Sequence, residues 1–174
     1  ADLAFPAIPG VAPPELPHLA YRVDYGPRFW TEGIVDRQPP VVGEPFPVQV
    51  PQVDADGNER SGLRLPELAV PLATYAPWNF RAKGVGAPDE TADFRGSFLP
   101  LPRTEEDRRE TGDPRRSVEA RYGTEAAYLG LYARAAAELV RQRYLVAEDL
   151  PEMLAHAEAL WDLVAGQAPT SPAR

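Results

Sequence analysis

The chain predicts an α+β fold: a proline-rich irregular front carrying one β-hairpin, followed by a C-terminal antiparallel helix pair. Three observations carry this. Seventeen of the 21 prolines lie in residues 1–102, so regular structure is repeatedly interrupted there and not behind it. Within that front, a run of alternating apolar residues meets a strong turn at Asp56-Gly57, the signature of a hairpin. Behind Pro102, apolar residues recur at spacings of three and four, the period of a helix face. The 174 residues, 44% hydrophobic and 25% charged, suffice for one unit. The expected organisation is 1–102 irregular and hairpin, 103–166 helical, and 167–174 a frayed tail.

In the front, Ala1 to Pro27 interleaves Pro6, Pro9, Pro13, Pro14 and Pro17 with Phe5, Ile8, Val11, Leu16, Leu19 and Tyr21. So many apolar residues favour a segment lying extended on another surface over a disordered linker. Phe46, Val48 and Val50 alternate with Pro47, Gln49 and Pro51. Because proline cannot donate to a ladder, this reads as an edge strand. After the turn at 54–58, Leu63 and Leu65 alternate with Arg60 and Arg64, which predicts a hairpin of 46–53 with 59–65. Leu68 to Tyr75 is apolar but broken by Pro71 and reads as a buried irregular segment, with Pro77-Trp78-Asn79-Phe80 following it.

Thr104 ahead of Glu105-Glu106-Asp107 fits an N-cap with acids in the first turn, so a short helix runs to about Thr111 and stops at Gly112-Asp113-Pro114. Ser117 caps another short turn ended by Gly123. A longer helix begins at Thr124 and ends near Arg143, with Tyr128, Tyr132, Ala135 and Leu139 on one face. The last helix runs from about Glu148 to Ala165, with Pro151 in its first turn and a stripe of Leu150, Leu154, Ala157, Trp161 and Val164. The two long helices are expected to pack antiparallel, or to offer an interaction surface.

Composition excludes several chemistries. The formal charge of −8 argues against a nucleic-acid binder, whose affinity depends on clustered cations. Zero cysteines remove disulfides, thiolate metal sites and cysteine nucleophiles. No apolar run approaches the roughly 20 residues of a membrane helix, and residues 1–30 lack the basic and apolar regions of a signal peptide. The chain opens Ala1-Asp2-Leu3 and has a single methionine, Met153; it reads as processed or incomplete.

Candidate chemical groups are few. A nucleophile elbow needs glycine two residues either side of the serine, and Ser61, Ser97, Ser117 and Ser171 all lack it. His18 and His156 have no recognisable nucleophile or carboxylate motif beside them. Asp54-x-Asp56-x-Asn58 imitates the start of a calcium loop, but Glu59 and Leu65 stand where glycine and a bidentate glutamate are required. No catalytic residue, metal site or cofactor is therefore expected within the chain. Six arginines and six acids between Arg103 and Arg121 read as a mixed, solvated surface with local ion pairs. Tyr75, Trp78 and Asn79 are the candidate substrate-binding residues, since aromatics with one amide on an irregular segment suit a pocket wall; core packing accounts for the same residues.

The run Val50-Pro51-Gln52-Val53-Asp54-Ala55-Asp56-Gly57-Asn58-Glu59, then Gly62-Leu63-Arg64-Leu65-Pro66-Glu67-Leu68-Ala69-Val70-Pro71-Leu72-Ala73-Thr74-Tyr75 and Trp78-Asn79, resembles the C-terminal region of bacterial alpha/beta hydrolase domain-containing proteins. Gly96-Ser97-Phe98, Gly112-Asp113-Pro114-Arg115 and Ser117-x-Glu119-x-Arg121-Tyr122 resemble it too. The likeness covers about residues 5–165 and rests on the ordered series of segments. It implies the C-terminal part of an esterase-like serine hydrolase acting on carboxylic esters, with nucleophile and catalytic histidine upstream of Ala1. The implied partners are the remainder of the hydrolase core and a small ester substrate. Where the family pattern has Gly-Trp-Asn this chain has Pro77-Trp78-Asn79, and proline has no amide hydrogen to donate. A non-catalytic protein-interaction or small-ligand binding module is the alternative reading.

Overall fold

Residues 5–13, 20–47, 49–88, 90–92 and 94–166 are described by the structure, a computed structural model. They fall into two units, one within residues 14–50 and one made of residues 2–13 with 51–174. His18, the prolines from Pro14 to Pro17 and the tail from Gln167 lie outside the described residues.

In the first unit, β1 (Tyr21–Asp24) pairs antiparallel with β2 (Val41–Pro45), in the register Tyr21 to Pro45, Val23 to Val42 and Asp24 to Val41. A bulge between Tyr21 and Val23 shifts the ladder. The connection carries α1 (Phe29–Glu32) and is tied by side chains. Asp24 Oδ1 accepts from the Gly26 N–H at 2.7 Å, and Asp36 Oδ1 accepts from Arg28 Nε at 2.8 Å. Gly26, at φ 108°, is required here because a Cβ would sit 2.5 Å from that of Asp36.

This ladder replaces the expected hairpin of 46–53 with 59–65. The turn itself forms as expected. The Gly57 N–H donates to the Asp54 carbonyl at 3.0 Å and the Asp54 N–H to the Asn58 carbonyl at 2.8 Å, with Gly57 at φ 82°. That is a three-residue hairpin loop with glycine in the left-handed position. The flanking strands do not follow: a single bridge joins Val53 to Glu59. Pro47 and Pro51 on one side and Pro66 on the other remove donors from any longer ladder. Val48 lies outside the described residues.

The second unit packs a small sheet against helices. Pro66 opens the one-turn α2 (Pro66–Ala69), where its missing N–H costs nothing. After Pro71, β3 (Ala73–Ala76) pairs antiparallel with β4 (Ser97–Pro100), Thr74 opposite Leu99 and Tyr75 opposite Phe98. The segment read as irregular is thus buried, as expected, but holds a helical turn and a strand. Residues 5–13 belong to this unit, with Ile8 buried, so part of the apolar front does find its surface within the chain.

The C-terminal elements follow their local signals. In α3 (Glu105–Thr111), Thr104 Oγ1 accepts from the Asp107 N–H and the Asp107 carboxylate accepts from the Thr104 N–H, a reciprocal cap. Ser117 caps α4 (Val118–Tyr122) and Thr124 caps α5 (Glu125–Arg141). Beyond α5 the Arg143 N–H donates to Val140 and the Tyr144 N–H to Leu139, with Arg143 at φ 65°, a Schellman ending that needs a left-handed residue. A 3₁₀ turn, Ala147–Asp149, leads into α6 (Leu150–Val164). Tyr128, early in α5, stacks on Trp161, late in α6, at 5.4 Å, so the pair is antiparallel. The core holds Val70, Leu72, Leu101, Val118, Tyr128, Tyr132, Ala157 and Val164. Ala136 is fully buried, whereas the expected Ala135 is only partly so.

Candidate functional site

The candidate residues sit on the segment 73–80, where a buried strand runs out into a half-exposed aromatic stretch. β3 is pinned from beneath by a polar network. Asn58 Nδ2 donates to the Ala73 carbonyl at 3.0 Å and Asn58 Oδ1 accepts from the Tyr75 N–H at 2.8 Å. Thr74 Oγ1 donates to the Asp56 carbonyl and accepts from Arg115 Nη1, the latter at 2.9 Å. Arg115 is held in turn by Asp113, Nη2 to Oδ2 at 2.7 Å, and donates to the carbonyls of Leu99 and Pro100 at 2.9 and 2.8 Å. Nε donates to Asp113 Oδ1 at 3.0 Å. All five guanidinium hydrogens are thereby used within the protein, and Arg115 has none left for an external anion. Asp56 closes the network on the other side by pairing with Arg121.

The mixed charged stretch from Arg103 to Arg121 is therefore not solvated throughout. Arg115 and Asp113 side chains are only 2% and 6% exposed, and Ser117 is buried. The burial has a physical cause. A guanidinium enters the interior where a carboxylate and enough carbonyl oxygens meet its fork, and β4 supplies those carbonyls from outside the local sequence.

Above this base the three candidate residues part company. The Tyr75 ring meets Phe98 edge-on at 5.4 Å, and its hydroxyl is pushed up to about 12, first by burial and then by the negative Glu67. Trp78 belongs to a second group, with Phe5 at 5.6 Å and Phe80 at 5.9 Å. Its carbonyl accepts from Ser97 Oγ at 2.7 Å. Asn79 is exposed; its Oδ1 accepts from the Phe80 N–H at 2.8 Å, and its carbonyl accepts from the Ala92 N–H at 2.7 Å. The strand continues outward through a bridge between Phe80 and Thr91. At the root, Gly96 lets the two chains approach: a Cβ there would lie 2.6 Å from the Ala76 carbonyl oxygen.

The remaining polar candidates lie apart. Ser117 Oγ donates to Glu105 Oε1 at 2.7 Å while accepting from the Ala120 N–H. Those contacts hold the Glu105 carboxyl below its ordinary range, with Arg108 adding to the effect. Ser61 and His156 are exposed, and among the described residues no hydrogen bond joins a serine to His156. His18 and Ser171 lie outside the described residues. No group of acidic or histidine side chains that could hold a metal ion occurs among the described residues. No helix among them is long and apolar enough to cross a membrane.

A two-strand sheet carrying aromatic residues and backed by a helix pair is compatible with many activities, so the class comes from comparison. A family model for the alpha/beta hydrolase domain matches residues 7–155, and the chain belongs to that family. The match contains every segment of the resemblance noted above, from Val50 to Tyr122. No curated protein and no solved structure matches the chain.

Sequence reasoning missed Asn58, Thr74, Asp113 and Arg115 as a connected unit. Asp113 and Arg115 stood out only as members of the mixed charged stretch and of the family-like segment Gly112-Asp113-Pro114-Arg115.

Proposed function

We propose that this chain is the C-terminal part of an esterase-like serine hydrolase whose nucleophile and catalytic histidine lie upstream of Ala1. The observation that carries the reading is a conjunction. An alpha/beta hydrolase match spans residues 7–155, while Ser97 and Ser117 are engaged in backbone and capping contacts and no described serine meets His156. In the intact enzyme, the upstream serine attacks the ester carbonyl and the histidine passes its proton to the leaving alcohol. Backbone amides stabilise the oxyanion, and water then releases the acid.

Within this chain the proposed contribution is to substrate binding. Trp78, with Phe5 and Phe80 beside it, offers a half-buried aromatic surface suited to the apolar part of a small ester. Asn79 Nδ2 donates one hydrogen to the Gly96 carbonyl at 3.4 Å and has its second for a substrate carbonyl oxygen, while Tyr75 anchors the segment from the core side.

The test is activity-based labelling of the natural gene product. A fluorophosphonate probe is expected to mark one serine, found by peptide mapping in a Gly-x-Ser-x-Gly context encoded upstream of Ala1. Labelling of a serine within residues 1–174, or no labelling of a natural product that consists of this chain alone, overturns the reading.

A further inference from the structure

Tyr128 is 1% exposed, and Tyr132, one turn further along α5, is fully buried. The Tyr132 hydroxyl donates to Glu67 Oε1 at 2.6 Å, and the nearby Tyr122 hydroxyl donates to the Pro71 carbonyl at 2.8 Å. The Tyr128 hydroxyl, by contrast, has no hydrogen-bond partner among the described residues. Buried tyrosine hydroxyls ordinarily find one, because a phenol oxygen withdrawn from water without a replacement bears the full cost of its desolvation.

The ring is not able to turn in search of a partner. Tyr128 stacks on Trp161 at 5.4 Å, and Tyr122 and Tyr132 flank it at 5.3 and 5.9 Å. Yet its hydroxyl is not sealed in. Among the described residues every fully enclosed polar side-chain atom has a partner, so the sliver of Tyr128 that stays exposed includes the hydroxyl oxygen. That oxygen floors a crevice.

The other polar groups of the crevice come from α2 and β3. Burial raises the Tyr75, Tyr128 and Tyr132 hydroxyls first of all, and the negative Glu67 adds to the rise in each, which gathers the three hydroxyls around one carboxylate. Glu67 and Tyr75 are half-buried and form the mouth, while Tyr128 and Tyr132 form the floor. All four lie in the second unit.

The inventory of donors and acceptors selects the ligand. Tyr75 and Tyr128 each bring an O–H that is unused among the described residues, while Glu67 brings a second carboxylate oxygen that only accepts. No basic side chain pairs with Glu67 among the described residues, so an anion would meet that carboxylate with nothing to offset it. An ammonium group needs an open ring face, and Trp161 occupies that of Tyr128. A neutral hydroxyl group, able to accept from a tyrosine and donate to a carboxylate, satisfies both sides at once.

We propose that Tyr128, Glu67 and Tyr75 form a binding site for one neutral hydroxyl group, which accepts a hydrogen bond from Tyr128 and donates one to Glu67. The group belongs to a water molecule or to a small alcohol. The site is independent of the hydrolase reading and stands whether or not a nucleophile lies upstream.

Crystals of the intact protein, with and without soaked 2-bromoethanol, test this. Density is expected for an oxygen within about 3.2 Å of Tyr128 Oη and of a Glu67 carboxylate oxygen. A bromine anomalous peak beside that position after soaking assigns the site to alcohols, and an oxygen that the alcohol does not displace assigns it to water. Tyr128→Phe removes the hydroxyl and keeps the stacked ring. Because it breaks a hydrogen bond, it is expected to shift the unfolding equilibrium in urea about fivefold towards the unfolded chain, whereas deleting an unpartnered hydroxyl would leave the protein as stable or more so. No ordered oxygen at Tyr128 Oη, or a Tyr128→Phe protein as stable as the wild type, overturns the proposal.

Discussion

Replacing Arg115 by methionine removes a charge that the interior is built around. The side chain is almost wholly buried, and its five hydrogens go to the Asp113 carboxylate, Thr74 Oγ1 and the Leu99 and Pro100 carbonyls. Methionine fills most of the volume but leaves Asp113 buried without its counter-ion. Breaking a buried pair from one side costs about 3–5 kcal/mol. The two β4 carbonyls lose donors as well, so the upper part of that range applies. Arg115→Lys keeps the charge but has three hydrogens for five acceptor contacts and no planar fork, so an intermediate loss of about 2 kcal/mol is expected. Urea unfolding of the intact protein, followed by circular dichroism, measures both. Adding Asp113→Leu to Arg115→Met removes the stranded carboxylate, and the double variant is expected to recover about 1–3 kcal/mol relative to the sum of the singles. A loss below about 1 kcal/mol for Arg115→Met, or strict additivity in the double variant, would refute the claim that this pair organises the second unit.

Three further outcomes follow from the geometry. Tyr75 and Tyr122 hydroxyls are pushed up to about 12 by burial, and Tyr128 and Tyr132 are raised further; the unfolded chain ionises first, so stability is full below about pH 10 and falls as pH rises towards 12. Absorbance at 295 nm should show these tyrosines ionising together with unfolding, and their independent titration in the folded protein would contradict the burial. Ser117→Ala removes the α4 cap, costing about 1 kcal/mol, and returns the Glu105 carboxyl towards its ordinary value. Because the native carboxyl is depressed, its contribution is present above pH 4.5 and lost as pH falls through the lower folded value, which a carbon-13 NMR titration of Glu105 reads directly. Gly96→Ala forces a Cβ to within 2.6 Å of the Ala76 carbonyl oxygen and is expected to cost about 1–3 kcal/mol in thermal or urea unfolding; no loss would mean that β3 and β4 separate freely there.

The helical half was legible because its signals are local. Thr104 with Asp107, Ser117 and Thr124 each satisfy amides within their own first turn, so the sequence window that encodes each cap is only a few residues wide. The β1 and β2 pairing was not legible. Its partners, such as Val23 and Val42, are joined by a connection containing a helical turn and three prolines, and nothing near either strand announces the other. At 54–58 the opposite happened. The turn formed from its own residues, but strand pairing on either side depended on donors that Pro47, Pro51 and Pro66 do not have. Arg115 and Asp113 were misread for a third reason: composition counts charges without knowing that β4 turns two carbonyls towards them.

These levels meet at the candidate substrate segment. The Tyr75 amide is fixed by Asn58, the Thr74 hydroxyl by Arg115 and the Asp56 carbonyl, and the Trp78 carbonyl by Ser97. These anchors engage the backbone from Ala73 to Trp78, while Asn79 is exposed and Trp78 half-buried. A contact surface carried by so constrained a strand loses little conformational freedom when a ligand arrives, which is the condition for a precise binding element. The same constraint accounts for the buried Asp113–Arg115 pair and the two Asn58 amide contacts found here. Together they fix the backbone from Ala73 to Trp78, the stretch that carries the candidate residues.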